Sequence, residues 1–196
     1  YVLQYAMWQR MQAEGLKTPV VSLVTQVLVD PRDPAFSHPT KPIGPSYPRD
    51  AASRYWDNLG WIMAEDPKHG FRRVVPSPEP IAIIELDAIK ACVDRGLVVI
   101  AGGGGGVPVF NDHDISKGVE AVIDKDHTSA ILARQLDADV FAIATDVDRV
   151  YLDYDKETRR PLDRLTLAQC RQYLQEGHFP PGSMGPKITA AIKYLE

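Results

Sequence analysis

The sequence predicts an α/β chain organised around a mainly parallel sheet, and three observations carry that prediction. Apolar, β-branched runs at residues 20–29 (VVSLVTQVLV), 97–101 (LVVIA) and 140–144 (VFAIA) read as buried strands. Helical repeats stand between them, at 81–95 and 126–136. The runs end in glycines or in polar Thr-Asp turns, and strand–helix alternation of these lengths gives a parallel sheet whose ligands bind beyond the carboxyl ends of the strands. The glycine loop, the 145–148 turn and the end of the first strand are therefore expected on one rim.

Taken in order, residues 1–14 (YVLQYAMWQRMQAE) read as a helix already in mid-course, closed by Gly15. Residues 30–48 carry six prolines, at 31, 34, 39, 42, 45 and 48. That is too many for sheet or helix, yet Phe36, Ile43 and Tyr47 argue against a disordered tail. A polar helix at 49–59, the stretch 61–66 and a turn at 67–70 follow, and 72–75 (RRVV) bring the chain back. Residues 31–75 thus read as an insertion that leaves the main sheet and returns to it. Residues 76–80 form a rigid proline loop ahead of the 81–95 helix. Asp126 opens the next helix with its acid at the positive end. Residues 150–152 and the charged turn 153–160 suggest a small hairpin, 166–175 an amphipathic helix closed by Gly177, and 180–186 a loop that delivers Lys187 into the last helix.

With 196 residues, 44% of them hydrophobic, the chain has enough apolar sequence for a core as one domain, 1–196, with or without an insertion. A net charge of −4 with no long basic run argues against nucleic-acid or membrane-surface partners. No apolar run approaches the length of a membrane span. Cys92 and Cys170 read as small core fillers and fit a reducing, cytosolic setting. Both ends fall inside helices, so the sequence reads as clipped at each.

The chemistry concentrates in residues 97–126. Five consecutive glycines, Gly102 to Gly106, follow a buried strand. Either they form a flexible turn, or their amides approach phosphate oxygens with no Cβ in the way. No Gly-Lys-Ser/Thr follows, so this is not a Walker loop, and Val107 stands where a dinucleotide fingerprint needs glycine. Asp124-Lys125-Asp126 then places a lysine between two acids at a helix start. It is either a surface ion pair at a cap or a cation held to neutralise a transferring phosphoryl group. Lys187 stands in the first turn of a helix, where the dipole disfavours a cation, which points to an anionic partner or to a solvated side chain. The Thr145–Asp148 stretch either accepts from ribose hydroxyls or caps a turn. His113 between Asp112 and Asp114 lacks distant ligands at metal spacing, and no Gly-x-Ser-x-Gly supports serine-hydrolase chemistry.

Six stretches in order along nearly the whole chain resemble the carbamate kinases of the amino acid kinase superfamily: PTKPIG (39–44), RVVPSPEP (73–80), AGGGGGVPV (101–109), AVIDKD (121–126), TDVDRVY (145–151) and PGSMGPK (181–187). The resemblance implies a three-layer αβα sandwich with a protruding lid subdomain at 31–75, usually a cytoplasmic homodimer. It implies phosphoryl transfer between ATP and carbamate with Mg²⁺, in cells often from carbamoyl phosphate and ADP toward ATP in arginine catabolism. By motif, Lys125 and Lys187 would stabilise the transferring group, and Asp126 would orient them with Asp124 close by. Asp146, Tyr151, Met184 and Lys187 would line the nucleoside pocket, and Gly102, Gly103 and Gly104 would bring amides near the phosphates. Lys41, in the lid, would reach the acceptor side.

The family's opening strand, its Gly-Gly-Asn loop, its second glycine loop and its C-terminal strand have no counterpart here. The residues present thus carry most of the nucleotide half and only part of the acceptor site, and this polypeptide by itself is expected to bind adenine nucleotide weakly without making carbamoyl phosphate. Two other readings stand beside the first: a superfamily phosphotransferase with another acceptor, and a nucleotide-binding fragment without catalysis. The segment around Lys41 favours carbamate.

Overall fold

The computed structural model describes residues 1–66, 70–112, 115–180 and 182–196. In chain order, α1 (Val2–Ala13) leads to β1 (Val20–Ser22), β2 (Gln26–Leu28), a 3-10 turn (Pro34–Phe36), β3 (Lys41–Tyr47) and α2 (Arg49–Leu59). Then come β4 (Met63–Asp66), β5 (Gly70–Val75), β6 (Ala82–Ile83), α3 (Leu86–Asp94), β7 (Val98–Ile100), β8 (Val107–Asp112) and β9 (Ile115–Gly118). The last part holds α4 (Lys125–Gln135), β10 (Val150–Leu152), β11 (Arg160–Leu162), α5 (Leu167–Gln175) and α6 (Met184–Leu195). The class is mixed α/β, as the alternation predicts. The chain divides into two compact units, the first comprising residues 1–25, 83–106 and 124–196, the second 26–82 and 107–123.

In the first unit β1 and β7 pair in parallel, Val20 against Val98 and Ser22 against Ile100, with α1 beside β1 and α3 beside β7. Helices α4 and α5 both pack on α6. Ile188 and Ile192, one turn apart on α6, meet Leu152, Phe179 and Cys170 in an apolar cluster. Ala130 on α4 and Ala190 on α6 are fully buried, and side chains this small let the two helices approach closely. Helix α5 starts in a capping box: the Thr166 hydroxyl accepts from the Gln169 amide while the Gln169 side chain accepts from the Thr166 amide.

In the second unit one sheet has the order β6-β2-β8-β9, with β2 and β8 parallel and β8 and β9 antiparallel. A second sheet, β3-β5-β4, is antiparallel throughout and packs against α2. Val27 and Val109 are buried from the first of these sheets, Val29 just past the end of β2, Val74 from β5 and Ala52 from α2. Residues 31–75 lie within this unit.

Several expectations need correction. Residues 20–29 form two strands, because the chain turns at Leu23–Thr25 and leaves Val24 80% exposed. Proline does not keep residues 41–47 out of a sheet: β3 carries Pro42 and Pro45 on a sheet edge, with a register shift between Ile43 and Tyr47, where a missing N–H costs no ladder bond. The helix expected from Ile81 begins only at Leu86, after β6. Asp126 does not open α4; Asp124 is its N-cap. The apolar run at 140–144 pairs with no described strand and Val140 is 78% exposed, so apolar, β-branched composition there does not make a buried strand. The expected Pro67–His69 turn, His113, Asp114 and Pro181 lie outside the described residues. Among the described residues no helix is long and apolar enough to cross a membrane.

Candidate functional site

The glycine loop after β7 is held at two points by buried threonines. The Thr25 hydroxyl donates to the Leu23 carbonyl (3.0 Å) and accepts from the Gly102 amide (2.8 Å). The Thr128 hydroxyl, on α4, donates to the Gly105 carbonyl (2.8 Å). Between these anchors the Gly105 amide donates to the Gly102 carbonyl (2.8 Å), closing a tight turn. Gly102, Gly103, Gly105 and Gly106 have φ of +75°, +49°, +134° and +88°, so side chains at these positions would be strained. Gly103 and Gly104 are exposed, and their amides donate to no group among the described residues. Successive free amides of this kind form an anion-binding concavity.

The same helix positions a charge. The Asp124 carboxylate, at the N-cap of α4, accepts from the Asp126 amide (2.9 Å). Asp126 is buried in the first turn, where the helix dipole favours a carboxylate, and it accepts from Lys187 Nζ at 3.1 Å. The two side chains are 9% and 19% exposed. A pair this buried contributes little net stability, because desolvation offsets attraction; its consequence is a fixed ammonium. Lys187 reaches it from the first turns of α6, which start abruptly because residue 185 is glycine. The Gly185 amide donates to the Pro180 carbonyl (2.9 Å), and a Cβ at Gly185 would stand 2.9 Å from that same oxygen. Lys125, at the first position of α4, is exposed.

Lys187 also borders a cavity of ≈ 190 Å³ whose walls include Asp146, Tyr151, Met184, Arg149 and Tyr154. The Tyr151 phenol donates to Asp148 (2.9 Å), and Arg149 bridges Asp148 (3.0 Å) and Asp163 (2.9 Å). The Tyr151 hydroxyl, and after it Arg149, hold the Asp148 carboxyl below the usual carboxylate range. In return Asp148 pushes the Tyr151 phenol up. The rings of Tyr151 and Tyr154 meet edge to face at 5.7 Å, and the Arg159 guanidinium lies 5.0 Å and 5.6 Å from their centroids. Aromatic faces, a carboxylate and a fixed cation around one small cavity suit a flat base with an anionic tail.

Of the residues singled out in the sequence, Asp146, Tyr151, Met184 and Lys187 therefore share one cavity. Asp126 and Asp124 connect it to α4, and Thr128 connects α4 to Gly102–Gly105. Lys41 is not part of this group: it opens β3, paired with Val75, in the second unit. The sequence reading missed Thr25, Thr128, Arg149 and Tyr154. Thr25 is the polar break in an apolar run, and Arg149 and Tyr154 lie within a few residues of Tyr151, so both had a local signal. Thr128 had none. Among the described residues no three His, Cys, Asp or Glu gather to hold a metal ion.

The chain thus combines a mixed α/β fold, a glycine loop with exposed amides, a buried lysine–aspartate pair and a small cavity walled by aromatic rings. Residues 6–196 match the amino acid kinase family, and the chain belongs to it. It is 47% identical over 196 residues to carbamate kinase of Pyrococcus furiosus and 45% identical to carbamate kinase 3 of Staphylococcus aureus. All of this chain is covered in both comparisons, against 62% and 63% of the relatives. The structure of carbamate kinase from Giardia lamblia bound to AMP-PNP is similar with a TM-score of 0.87 at 40% identity, over 100% of this chain and 62% of that one. The chain thus spans a little under two thirds of the length of the relatives it matches.

Proposed function

We propose that this chain is the nucleotide-handling part of a carbamate kinase, which moves a phosphoryl group reversibly between ATP and carbamate to give ADP and carbamoyl phosphate. The observation that carries the reading is Lys187, fixed by Asp126 at the wall of a cavity that Asp146, Tyr151 and Met184 also line. The names of the relatives support carbamate as acceptor, and the AMP-PNP bound to the Giardia relative supports an adenine nucleotide as donor.

In this reading the base rests among Tyr151, Tyr154 and Met184 while the Gly103 and Gly104 amides receive phosphate oxygens. The transferring group spreads negative charge over its equatorial oxygens, and Lys187 meets that charge without reorganising because Asp126 already holds it. Lys125, beside it in sequence and exposed, supplies the second ammonium. Mg²⁺ would neutralise charge on the nucleotide. Such an ion is usually held by phosphates and water with few protein ligands. Residues 31–75 act as a lid whose Lys41 serves the acceptor side. A cytoplasmic homodimer working in arginine catabolism completes the proposal.

The test uses the full-length protein with ADP, Mg²⁺ and carbamoyl phosphate, following ATP by luciferase. ATP formation that fails with acetyl phosphate is expected. Equal or faster turnover of acetyl phosphate would assign a different acceptor.

A further inference from the structure

We infer that Thr128 is a positioning residue for the nucleotide's phosphates, locking the glycine loop to the helix that carries Asp126. The inference rests on the phosphate-binding role proposed above for that loop. Thr128 is 1% exposed, and its side chain is bonded to the loop at Gly105 and stands next to the space a side chain on Gly102 would occupy. Its hydroxyl donates to the Gly105 carbonyl, and its methyl is the atom a Cβ on Gly102 would meet, at 3.7 Å.

Nothing local to α4 calls for threonine there. A β-branched residue is a mediocre helix former, and a hydroxyl inside a helix ordinarily back-bonds to the carbonyl one turn earlier. That carbonyl, Asp124's, already accepts from the Thr128 amide at 3.1 Å, and the hydroxyl reaches instead across 23 residues to the loop. The loop needs such an anchor. Five glycines without side chains have no means of packing themselves and the largest conformational entropy to lose. Thr25 pins the Gly102 amide and Thr128 the Gly105 carbonyl, so Gly103 and Gly104, between the pins, present their amides from a fixed turn. Because Asp126 stands two residues before Thr128, the same helix sets the place of Lys187. The loop amides and the ammonium then share one frame.

Calorimetric titration of the protein with ATP and with adenosine separates positioning from mere stability. Thr128→Val keeps the volume and deletes the hydroxyl; it should weaken ATP on the order of tenfold while adenosine changes by less than about twofold. Thr128→Ser should recover most of the ATP affinity. Should the valine variant not fold, Thr128→Ala against Thr128→Ser repeats the comparison, since both lack the methyl and only serine keeps the donor. Equal losses for ATP and adenosine, or a serine variant no better than alanine, overturn the positioning role and leave the phosphate reading standing. A wild-type protein that binds ATP no better than adenosine removes the phosphate reading and this inference with it.

Discussion

Among the described residues, the buried polar side chains all fall in the first of the two units. In the first, Asp126, Thr25 and Thr128 are buried, and each is committed to a hydrogen bond that shapes the loop or holds Lys187. In the second, ion pairs such as Arg49–Glu65 (3.7 Å) and Arg54–Asp50 (3.6 Å) join side chains 61–78% exposed. Exposed pairs contribute little. That unit stacks rings as well: Tyr55 lies between Tyr47 and Trp61 at 4.8 and 4.9 Å, and Arg73 covers Trp61. Buried polar contacts fix a charge in place, which is what stabilising a transition state requires. Under the proposed function a division of labour follows: the first unit holds the charge that meets the phosphoryl group, and the second serves the acceptor.

Breaking the first unit's fixed charge should produce the largest effect. In the full-length protein Lys187→Ala should cost about 10²–10³ in the rate of transfer, the usual loss when one preorganised group at a developing charge is removed. If Lys125 and Lys187 clamp the same phosphoryl group, the double change should cost less than the product of the single losses. Single-turnover rates decide this, and clean multiplication would mean that the two lysines act separately.

Lys41→Ala tests the other side of the comparison. If Lys41 serves the acceptor, its loss should slow turnover, by up to about 10²-fold if it aligns the reactants, and leave ADP affinity nearly unchanged. ADP affinity falling in step with activity would place Lys41 in the nucleotide site and end the division of labour.

Legibility in the sequence followed the same line. The glycine loop, the Asp-Lys-Asp triplet and Lys187 could be read because their residue types are unusual where they stand. Glycine in series and a cation at a helix start have few structural reasons to exist. The helix at 49–59 and the hairpin opened by 150–152 could be read from local periodicity and turn chemistry. Residues 140–144 could not, because apolar composition does not reveal whether a partner strand lies alongside. β3 was hidden by its prolines, since only the sheet order shows that it occupies an edge. Thr128 was invisible for a related reason: its role depends on a loop 23 residues away, and a single threonine in a helix carries no sign of it.

Gly185→Ala probes how finely the first unit sets its charge. The added Cβ would stand 2.9 Å from the Pro180 carbonyl oxygen, and that neighbour is backbone, so α6 has to shift. Forced overpacking of this kind costs roughly 1–3 kcal/mol. Chemical denaturation should record that loss, and nucleotide affinity should fall with it because Met184 and Lys187 lie on the same helical turns. Unchanged affinity at reduced stability would show that the cavity tolerates a moved helix.

The smallest effect concerns a polar cluster that belongs to the first unit yet resembles the second. Asp153 accepts from Lys156 (2.7 Å), His178 (3.0 Å) and Thr158 (3.2 Å). Lys156 first, then His178 and Thr158, hold its carboxyl down at about 2, against an ordinary 3.8. A carboxylate depressed on folding adds stability that is complete above its unfolded value and is lost as pH falls through the folded one. The contribution should therefore fade between about pH 4 and about pH 2. Asp153 has φ +49°, a conformation that asparagine also tolerates, so Asp153→Asn keeps the turn and removes the charge together with one acceptor oxygen. Urea midpoints for the two proteins should lie apart at about pH 5 and converge toward about pH 2. A gap that stays constant across that range would mean the carboxylate's charge is immaterial, and that the hairpin rests on its neutral hydrogen bonds.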